Sequence, residues 1–419
     1  MSLLNDIFSL RRMNDLRADA LWPSVVTPIP PSYTLTPAAN NIDEGSALTL
    51  NVSGSNITNG TYYWSIDTSA GDFTTSSGSF TITSNAGSFT VTPTADSTTE
   101  GAETFTVSIR SGSTSGTILA TTSNLTINDT SITIVAGQAA YTSSGTYSWT
   151  APAGVTNIAV VCVGGGSGGK RTVDVKPGDD DEYYWAGAGG ALAYKNNITV
   201  TPGTSYTVIV GAGGIGGYSG TAGGSSTFNS TTCGAGGGQV GTGIAYNSSG
   251  PSGGSVLNGD GGGAGGACGN YGGGYAGGYN PGGGGAGGYS GAGGAGGNGH
   301  PSNNSANAGS GNAGSGGGGG GGCTGGQIVS VGQRFGAGGG GVGILGQGSS
   351  GYGGNYTNES VMGGGGGSSG TNGEQGVYGS AAGGVYGGGA AMGGTGGVGA
   401  VRIIWGSNRS FPSTNTGNL

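Results

Sequence analysis

Charge is what this chain has least of. Only 7% of its 419 residues are Asp, Glu, Lys or Arg, against about a quarter in ordinary globular domains. Between Lys195 and Arg402 the formal charges are Asp260, Arg334, Glu359 and Glu374. Disordered segments pair low hydrophobicity with high net charge, so a neutral tract of this length does not read as a solvated linker. Basic residues number 11, and the formal net charge is −8. That excludes the Lys/Arg neutralisation of phosphates on which nucleic-acid binding depends. The single histidine, His300, has no partner set for a triad or a zinc site. No local carboxylate pair suggests a glycosidase. A non-enzyme is expected. The four cysteines, Cys162, Cys233, Cys268 and Cys323, form no CxxC pair and read as free or buried thiols of a reduced compartment, with a disulfide left open. No run approaches the roughly 18 apolar residues that span a membrane. Met1–Leu10 lacks the basic and apolar regions of a secretory signal.

What the chain has in excess is glycine, 108 residues. Eleven precede Thr150 and 97 follow it, in runs such as Gly316–Gly322 and Gly363–Gly367. Glycine loses the most backbone entropy on folding and offers no side chain to bury. Such a half is either disordered or packed where no Cβ fits, and its near-absence of charge favours packing.

The fold class expected is mainly β with an irregular glycine-rich region. Residues 1–25 read as a helix capped by Ser2 and stopped by Pro23. Its apolar residues Leu3, Leu4, Ile7, Phe8, Leu10, Met13 and Leu16 do not form one continuous stripe. They suit an anchor into neighbouring proteins or a helix packed on its own domain. Residues 26–33 (VTPIPPSY) are a stiff Pro-rich linker. Over 34–132, apolar residues alternate with polar ones in short runs broken by Gly, Ser and Asn: Leu48, Leu50, Val52; Tyr62, Trp64, Ile66; Phe80, Ile82; Phe89, Val91; Phe105, Val107, Ile109. That is the pattern of a β-sandwich. Within it, IDEGSALTLNV (42–52), DSTTEGAETFTVSI (96–109) and LTIND (125–129) resemble a Calx-β domain, an Ig-like sandwich whose carboxylates at one end can bind calcium. By position the resemblance implies Glu44, Asp96, Glu100 and Asp129 as candidate ligands. Ser97 and Asn128 stand where a second acid is common in calcium-binding members, and a plain spacer is the other reading. No other cofactor is expected.

The glycine-rich half, 133–408, is framed by TYSWTAPAGVTNIAVVCVGGG (146–166), NITVTPGTSYTVIVGAGG (197–214) and GAVRIIWG (399–406). The first two read as strand pairs turned at Pro-Ala-Gly and Pro202–Gly203, the third as a closing strand. A tail, 409–419, follows. Together these segments resemble the glycine-rich domain of phage tail-fibre and adhesin proteins. Between the frame segments, near-triplet glycine spacing as in 271–285 and 284–297 fits polyproline II helices with three residues per turn, pairing laterally. With thirteen prolines and no strict Gly-X-Y period, collagen is excluded. The resemblance implies a β-framed bundle of polyproline II (polyglycine) helices with recognition loops at one end.

GGGSGGKR (164–171) nearly matches a P-loop. Arg171 replaces the required hydroxyl, however, and TVDVKPG cannot propagate a helix. The interruptions of glycine are more informative, because polar loops on a rigid scaffold are where binding usually lives. In KRTVDVKPGDDDEYYW (170–185), Asp179, Asp180, Asp181 and Glu182 precede Tyr183, Tyr184 and Trp185, a recognition composition or an insert docked on a neighbour. HPSNNSAN (300–307) offers His300, Asn303 and Asn304, and NYTNESVM (355–362) offers Tyr356. QIVSVGQRF (327–335) suits either a loop or a small core. The expected function is noncovalent attachment of a phage virion to a host glycan or outer-membrane protein. Its expected partners are other virion proteins through the N-terminal helix, and its expected location is the virion surface after assembly in the host cytoplasm. A head- or tail-decorating fibre without receptor binding is the rival, and an ice-binding polyglycine protein the third reading. Trimer and self-contained bundle both stay open.

Overall fold

The computed structural model describes residues 28–96, 98–131, 134–176, 179–241, 249–270, 281–299, 309–322, 336–357, 360–376, 380–391 and 393–413. The expected N-terminal helix lies outside them. The chain divides into two compact units, Met1–Thr133 and Ile134–Leu419. Among the described residues the one helical element is a 3-10 turn, Ala70–Asp72; the rest is strand, turn or irregular chain.

The first unit holds ten strands: β1 (Ser32–Pro37), β2 (Asn41–Asp43), β3 (Leu48–Ser55), β4 (Gly60–Ile66), β5 (Ser77–Ile82), β6 (Ala86–Val91), β7 (Glu103–Phe105), β8 (Val107–Arg110), β9 (Ile118–Thr121) and β10 (Leu125–Asn128). They form three open sheets, β1-β3-β6, β2-β10-β7 and β5-β4-β8-β9. Period-2 alternation turns Leu50, Trp64, Ile82, Phe89, Val107 and Leu125 into one shared core, as a β-sandwich requires. Each such side chain contributes about 1.5–3 kcal/mol by leaving water. Trp64 stacks on Phe89, ring centroids 5.3 Å apart. Asp67 accepts hydrogen bonds from Ser65, Ser108 and Arg110 and pairs with Arg110 at 2.9 Å.

The second unit contains β11 (Gly137–Tyr141), β12 (Gly145–Thr150), β13 (Asn157–Val163), β14 (Lys170–Lys176), β15 (Asp179–Trp185), β16 (Leu192–Thr199), β17 (Ser205–Val210), β18 (Ser226–Phe228), β19 (Cys233–Ala235), β20 (Val256–Asn258), β21 (Gly261–Gly263), β22 (Tyr356–Thr357), β23 (Ser360–Val361) and β24 (Ala400–Trp405). Two five-stranded sheets, β11-β24-β13-β16-β21 and β12-β17-β18-β19-β20, share a core that includes Trp149, Val160, Cys162, Val208, Phe228 and Ile403. The two expected hairpins are therefore not hairpins. β12 and β13 belong to different sheets, as do β16 and β17, and each Pro-containing turn is a corner between sheets. The reason lies in β13. Its run NIAVVCV is apolar on both faces and buried throughout after Asn157, so it needs cover on both sides. One face meets the second sheet. The other packs Val161, Val163, Leu192 and Ile404 against Ala286, Tyr289, Val342, Ile344 and Phe411. Phe411, expected in a tail, is 2% exposed and stacks on Tyr289, so the packed unit continues beyond 408.

Between the strands that follow β13 run long glycine-rich stretches outside any strand, yet their described peptide groups are paired. In 164–169 successive N–H groups address three different neighbours in rotation. Gly164 and Ser167 donate to Ala191 and Ala188, Gly165 and Gly168 to Gly224 and Thr221, and Gly166 and Gly169 to Gly397 and Gly394. The same rotation governs 282–287, where Gly282 and Gly285 donate to Gly297 and Gly294, Gly283 and Ala286 to Ala337 and Gly340, and Gly284 and Gly287 to Gly187 and Gly190. Every third residue faces the same neighbour. A Cβ on Gly189 would collide with the carbonyl of Gly285, one on Gly285 with Gly318, one on Gly318 with Gly340, and one on Gly340 with Gly365. Glycine is thus required by close backbone approach. Alanine enters where a gap exists, as at Ala286 against the sheet.

The sense of these pairings sets direction. Chain leaving β13 through 164–169 runs parallel to 211–217, since Gly214 and Gly217 donate to Gly166 and Gly169, and antiparallel to 394–399. Followed through the unit, outward segments (236–241, 264–270, 293–299, 318–322, 351–354, 371–376, 387–391) alternate with returning ones (250–254, 281–287, 309–314, 337–343, 362–367, 381–384). The described residues flanking 170–185, 242–248, 271–280, 300–308, 323–335, 355–361 and 377–379 consequently all lie at the end remote from the strand starts.

Candidate functional site

Two places gather chemistry, one in each unit. In the sandwich, the turn Ala70–Asp72, the loop before β7 and the start of β7 bring Asp72, Glu100 and Glu103 together, with one carboxylate oxygen of each within 4.8 Å of the others. Glu44 and Asp96 line the same cavity of about 220 Å³. The crowding shows in the acids. Asp96, and more weakly Asp72, Glu44 and Asp129, hold the Glu100 carboxyl above its usual value. A hydrogen bond and like charge from Asp72 raise Glu103. Asp129 behaves differently. Its carboxylate accepts N–H groups of Gly101, Glu100 and Ser131, each at 2.8 Å, and the bonds from Gly101 and Ser131 above all lower its pKa. It clasps the Glu100 loop and does not join the carboxylate group. Asn128 donates to Asp43 at 2.8 Å.

Sequence reading placed Glu44, Asp96 and Glu100 here and missed Asp72 and Glu103. Glu103 opens a strand, and nothing in the spacing marks Asp72, 28 residues before Glu100, as its neighbour. Several carboxylate oxygens converging at an accessible cavity match the oxygen ligands of a hard divalent cation such as calcium. The mutual repulsion that raises Glu100 and Glu103 is what such an ion relieves.

At the far end of the second unit, β14 and β15 pair antiparallel with Asp174 opposite Asp181, Val175 opposite Asp180, Lys176 opposite Asp179 and Thr172 opposite Tyr183. Of the recognition residues expected in this hairpin, Trp185 is 2% exposed, and a Cβ on Gly241 would touch its ring. It belongs to the scaffold at the base of the hairpin and is not presented to a partner. A feature missed from sequence lies beside it. Tyr218 is 63% exposed with the Arg171 guanidinium carbon 4.9 Å from its ring centroid, a cation–π arrangement. Exposed Ile215 precedes it on the same turn, whose backbone is fixed by Gly217 donating to Gly169 and Thr221 to Ile215. Only position 218 in a glycine context marks it, which is no signal without the turn. Tyr356 lies in β22, whereas His300, Asn303 and Asn304 lie outside the described residues, as do all the expected anchor residues from Leu3 to Leu16.

The cysteines among the described residues, Cys162, Cys233 and Cys268, are free and buried. Burial raises the thiols of Cys162 and Cys268, which makes them inert core groups.

A family model described as "Glycine-rich domain" matches residues 142–355, more than half of the chain. The chain belongs to the glycine-rich domain family. Among solved structures, this glycine-rich domain protein is similar to the crystal structure of calcium binding domain CBD12 of CALX1.1, with 12% identity and a TM-score of 0.20 over 42% of this chain and 79% of that one. No curated protein matches it.

Proposed function

We propose that this chain is a noncatalytic surface protein of a bacteriophage virion, a tail-fibre or adhesin that attaches noncovalently to a receptor on the host cell. The observation that carries the reading is that the described segments flanking the glycine interruptions all end on one side of a hydrogen-bonded, charge-poor unit. Eight of the 19 tyrosines belong to those connections, two in 170–185, one in 242–248, three in 271–280, one in 355–361 and one in 377–379, and Tyr218 stands in the turn between Gly217 and Thr221 at the same end. Tyrosine supplies large contact area at low entropy cost, and a lattice with every third peptide locked to the same neighbour supplies pre-organisation. The threefold rotation of hydrogen bonds supports reading the lattice as a polyproline II (polyglycine) bundle. In this reading the sandwich is a Calx-β-like spacer stiffened by calcium at Asp72, Glu100 and Glu103, and residues 1–25 anchor the protein to other virion proteins.

The burial of Trp185 favours the rival in part, a decorating fibre whose hairpin serves assembly. Adsorption separates the two. The full chain, fluorescently labelled, is expected to coat host cells and to compete with phage adsorption. Replacing Tyr183, Tyr184 and Tyr218 by Ser is expected to abolish both effects without changing Tm. Failure of the wild-type chain to bind host cells, or its recovery on tail-less heads, sinks the receptor-binding reading.

A further inference from the structure

At the other end of the second unit, where β13 begins and β24 ends, a cleft of about 320 Å³ opens onto the sheet. Its construction starts with an irregularity. Ile158 pairs with Ile198 and Val160 with Lys195, so β16 carries one residue too many at Asn196–Asn197 opposite Ala159. Bulges of this kind re-aim side chains and concentrate beside functional sites. Asn196 uses both ends of its amide on one partner, donating to the Phe411 carbonyl at 2.7 Å and accepting from the Phe411 N–H at 2.9 Å. Its own N–H goes to Asp260 at 2.8 Å. Arg409 donates to the Gly137 carbonyl at 2.6 Å. These bonds hold the loop 406–411 in place, with the cleft between it and the bulge.

The floor is apolar, formed by buried Ala159 and Ile404. The rim is Asn157, Asn197, Asn408 and Arg409. The Asn157, Asn197 and Asn408 side chains are exposed and take no part in hydrogen bonds among the described residues. Two of them also stand where glycine would be more comfortable: Asn197 has φ 51° and Asn408 φ 61°. In a chain with 108 glycines, two left-handed positions around one cleft carry Asn, which tolerates that conformation better than other side chains.

We infer that this cleft binds a saccharide unit, at a site separate from the far-end loops. A carboxamide presents a donor and an acceptor in one plane, matching vicinal ring hydroxyls that each give and take a hydrogen bond. Three such groups and a guanidinium above an apolar floor fit a sugar ring, polar at its rim and C–H-rich on its face. Among the described residues no carboxylate lines the cleft, so a cation is disfavoured. The volume lies in the range of small-ligand sites.

Saturation-transfer NMR on the full chain tests this with maltose, cellobiose, lactose and N,N′-diacetylchitobiose, and with glycerol as a non-ring polyol. Transfer to ring protons of at least one disaccharide, above that to glycerol, is expected. The double variant Asn197→Gly/Asn408→Gly keeps both left-handed backbones and deletes two amides, so it should melt as the wild type does. Its affinity should fall roughly tenfold. Asn157→Ala should weaken binding in the same direction. The far-end variant Tyr218→Ser should bind as wild type, which keeps this outcome apart from that of the attachment reading. Transfer no greater than to glycerol for every disaccharide, or undiminished binding by a folded double variant, overturns the assignment.

Discussion

Gly285→Ala is the sharpest probe of the glycine lattice, since it adds one methyl group and nothing else. A Cβ built on Gly285 would lie 2.1 Å from the Gly318 carbonyl oxygen and 2.5 Å from its carbon. Reaching even the 3.0 Å that real Cβ atoms do not undercut requires the two segments to part by about 0.9 Å, the difference of those distances. Both neighbours are backbone, so no rotamer change relieves the clash. Parting would stretch the bonds that join the two segments, Gly318 to Ala286 (3.0 Å) and Gly321 to Gly283 (2.8 Å), past hydrogen-bonding range. Overpacking costs about 1–3 kcal/mol and each lost bond about 1 kcal/mol. Partial relaxation leaves an expected loss of about 2–5 kcal/mol, or a fall in Tm of roughly 4–12 °C for a unit of this size. The matched control is Gly234→Ala, whose nearest atoms are side-chain carbons of Thr227 and Leu257 at 3.3 and 3.4 Å. It should stay within about 1 kcal/mol of wild type. Scanning calorimetry of the full chain reads both. A Gly285→Ala melt within about 2 °C of wild type, or equal to that of the control, would refute the close-packing argument.

Calcium added to the EDTA-treated chain should raise the melting temperature of the sandwich, by an amount equivalent to about 2.7 kcal/mol at a hundred times Kd. Asp72→Asn/Glu103→Gln should remove that rise, and an unchanged melt in millimolar calcium would count against the ion. In EDTA the sandwich should be most stable in mildly acid solution. The raised acids Glu100 and Glu103 contribute stability that is full below the unfolded glutamate value and lost as pH rises through their folded values. Burial acts to raise Asp67, but hydrogen bonds from Ser108, Arg110 and Ser65 outweigh it and hold it low. Asp67 and Asp129 therefore contribute stability present above the unfolded aspartate value and lost as pH falls through their lower folded values. Melts across pH 3 to 8 check the maximum, and a monotonic rise toward neutrality contradicts it. In a Cys323→Ser background, Cys162, Cys233 and Cys268 should resist maleimide until the second unit unfolds. Rapid labelling of the native chain would show that the core opens.

Some of this architecture is written locally. Alternation at Leu48, Leu50 and Val52, or at Phe105, Val107 and Ile109, specifies strands with one buried face, because side-chain period and pleat are the same thing. The near-triplet glycines and the missing charge marked a packed half, since neither solvation nor a side-chain core could account for them. Which strands pair could not be read that way. The hairpins expected at Pro-Ala-Gly and Pro202–Gly203 became corners between sheets, because β13 is apolar on both faces and only a second sheet and the glycine segments together cover it. Trp185 looked like a contact residue from composition, but its burial depends on Gly241, 56 positions along. Asp72 and Glu103 joined Glu100 only through the meeting of a 3-10 turn, a loop and the start of a strand. Local periodicity thus determined that this chain is a sandwich followed by a glycine lattice. The tertiary structure decided which end carries the interruptions, which acids share a cavity and where the bulge at Asn196–Asn197 opens a cleft. Each of those depends on distances between residues far apart in sequence, and no local pattern encodes such a distance.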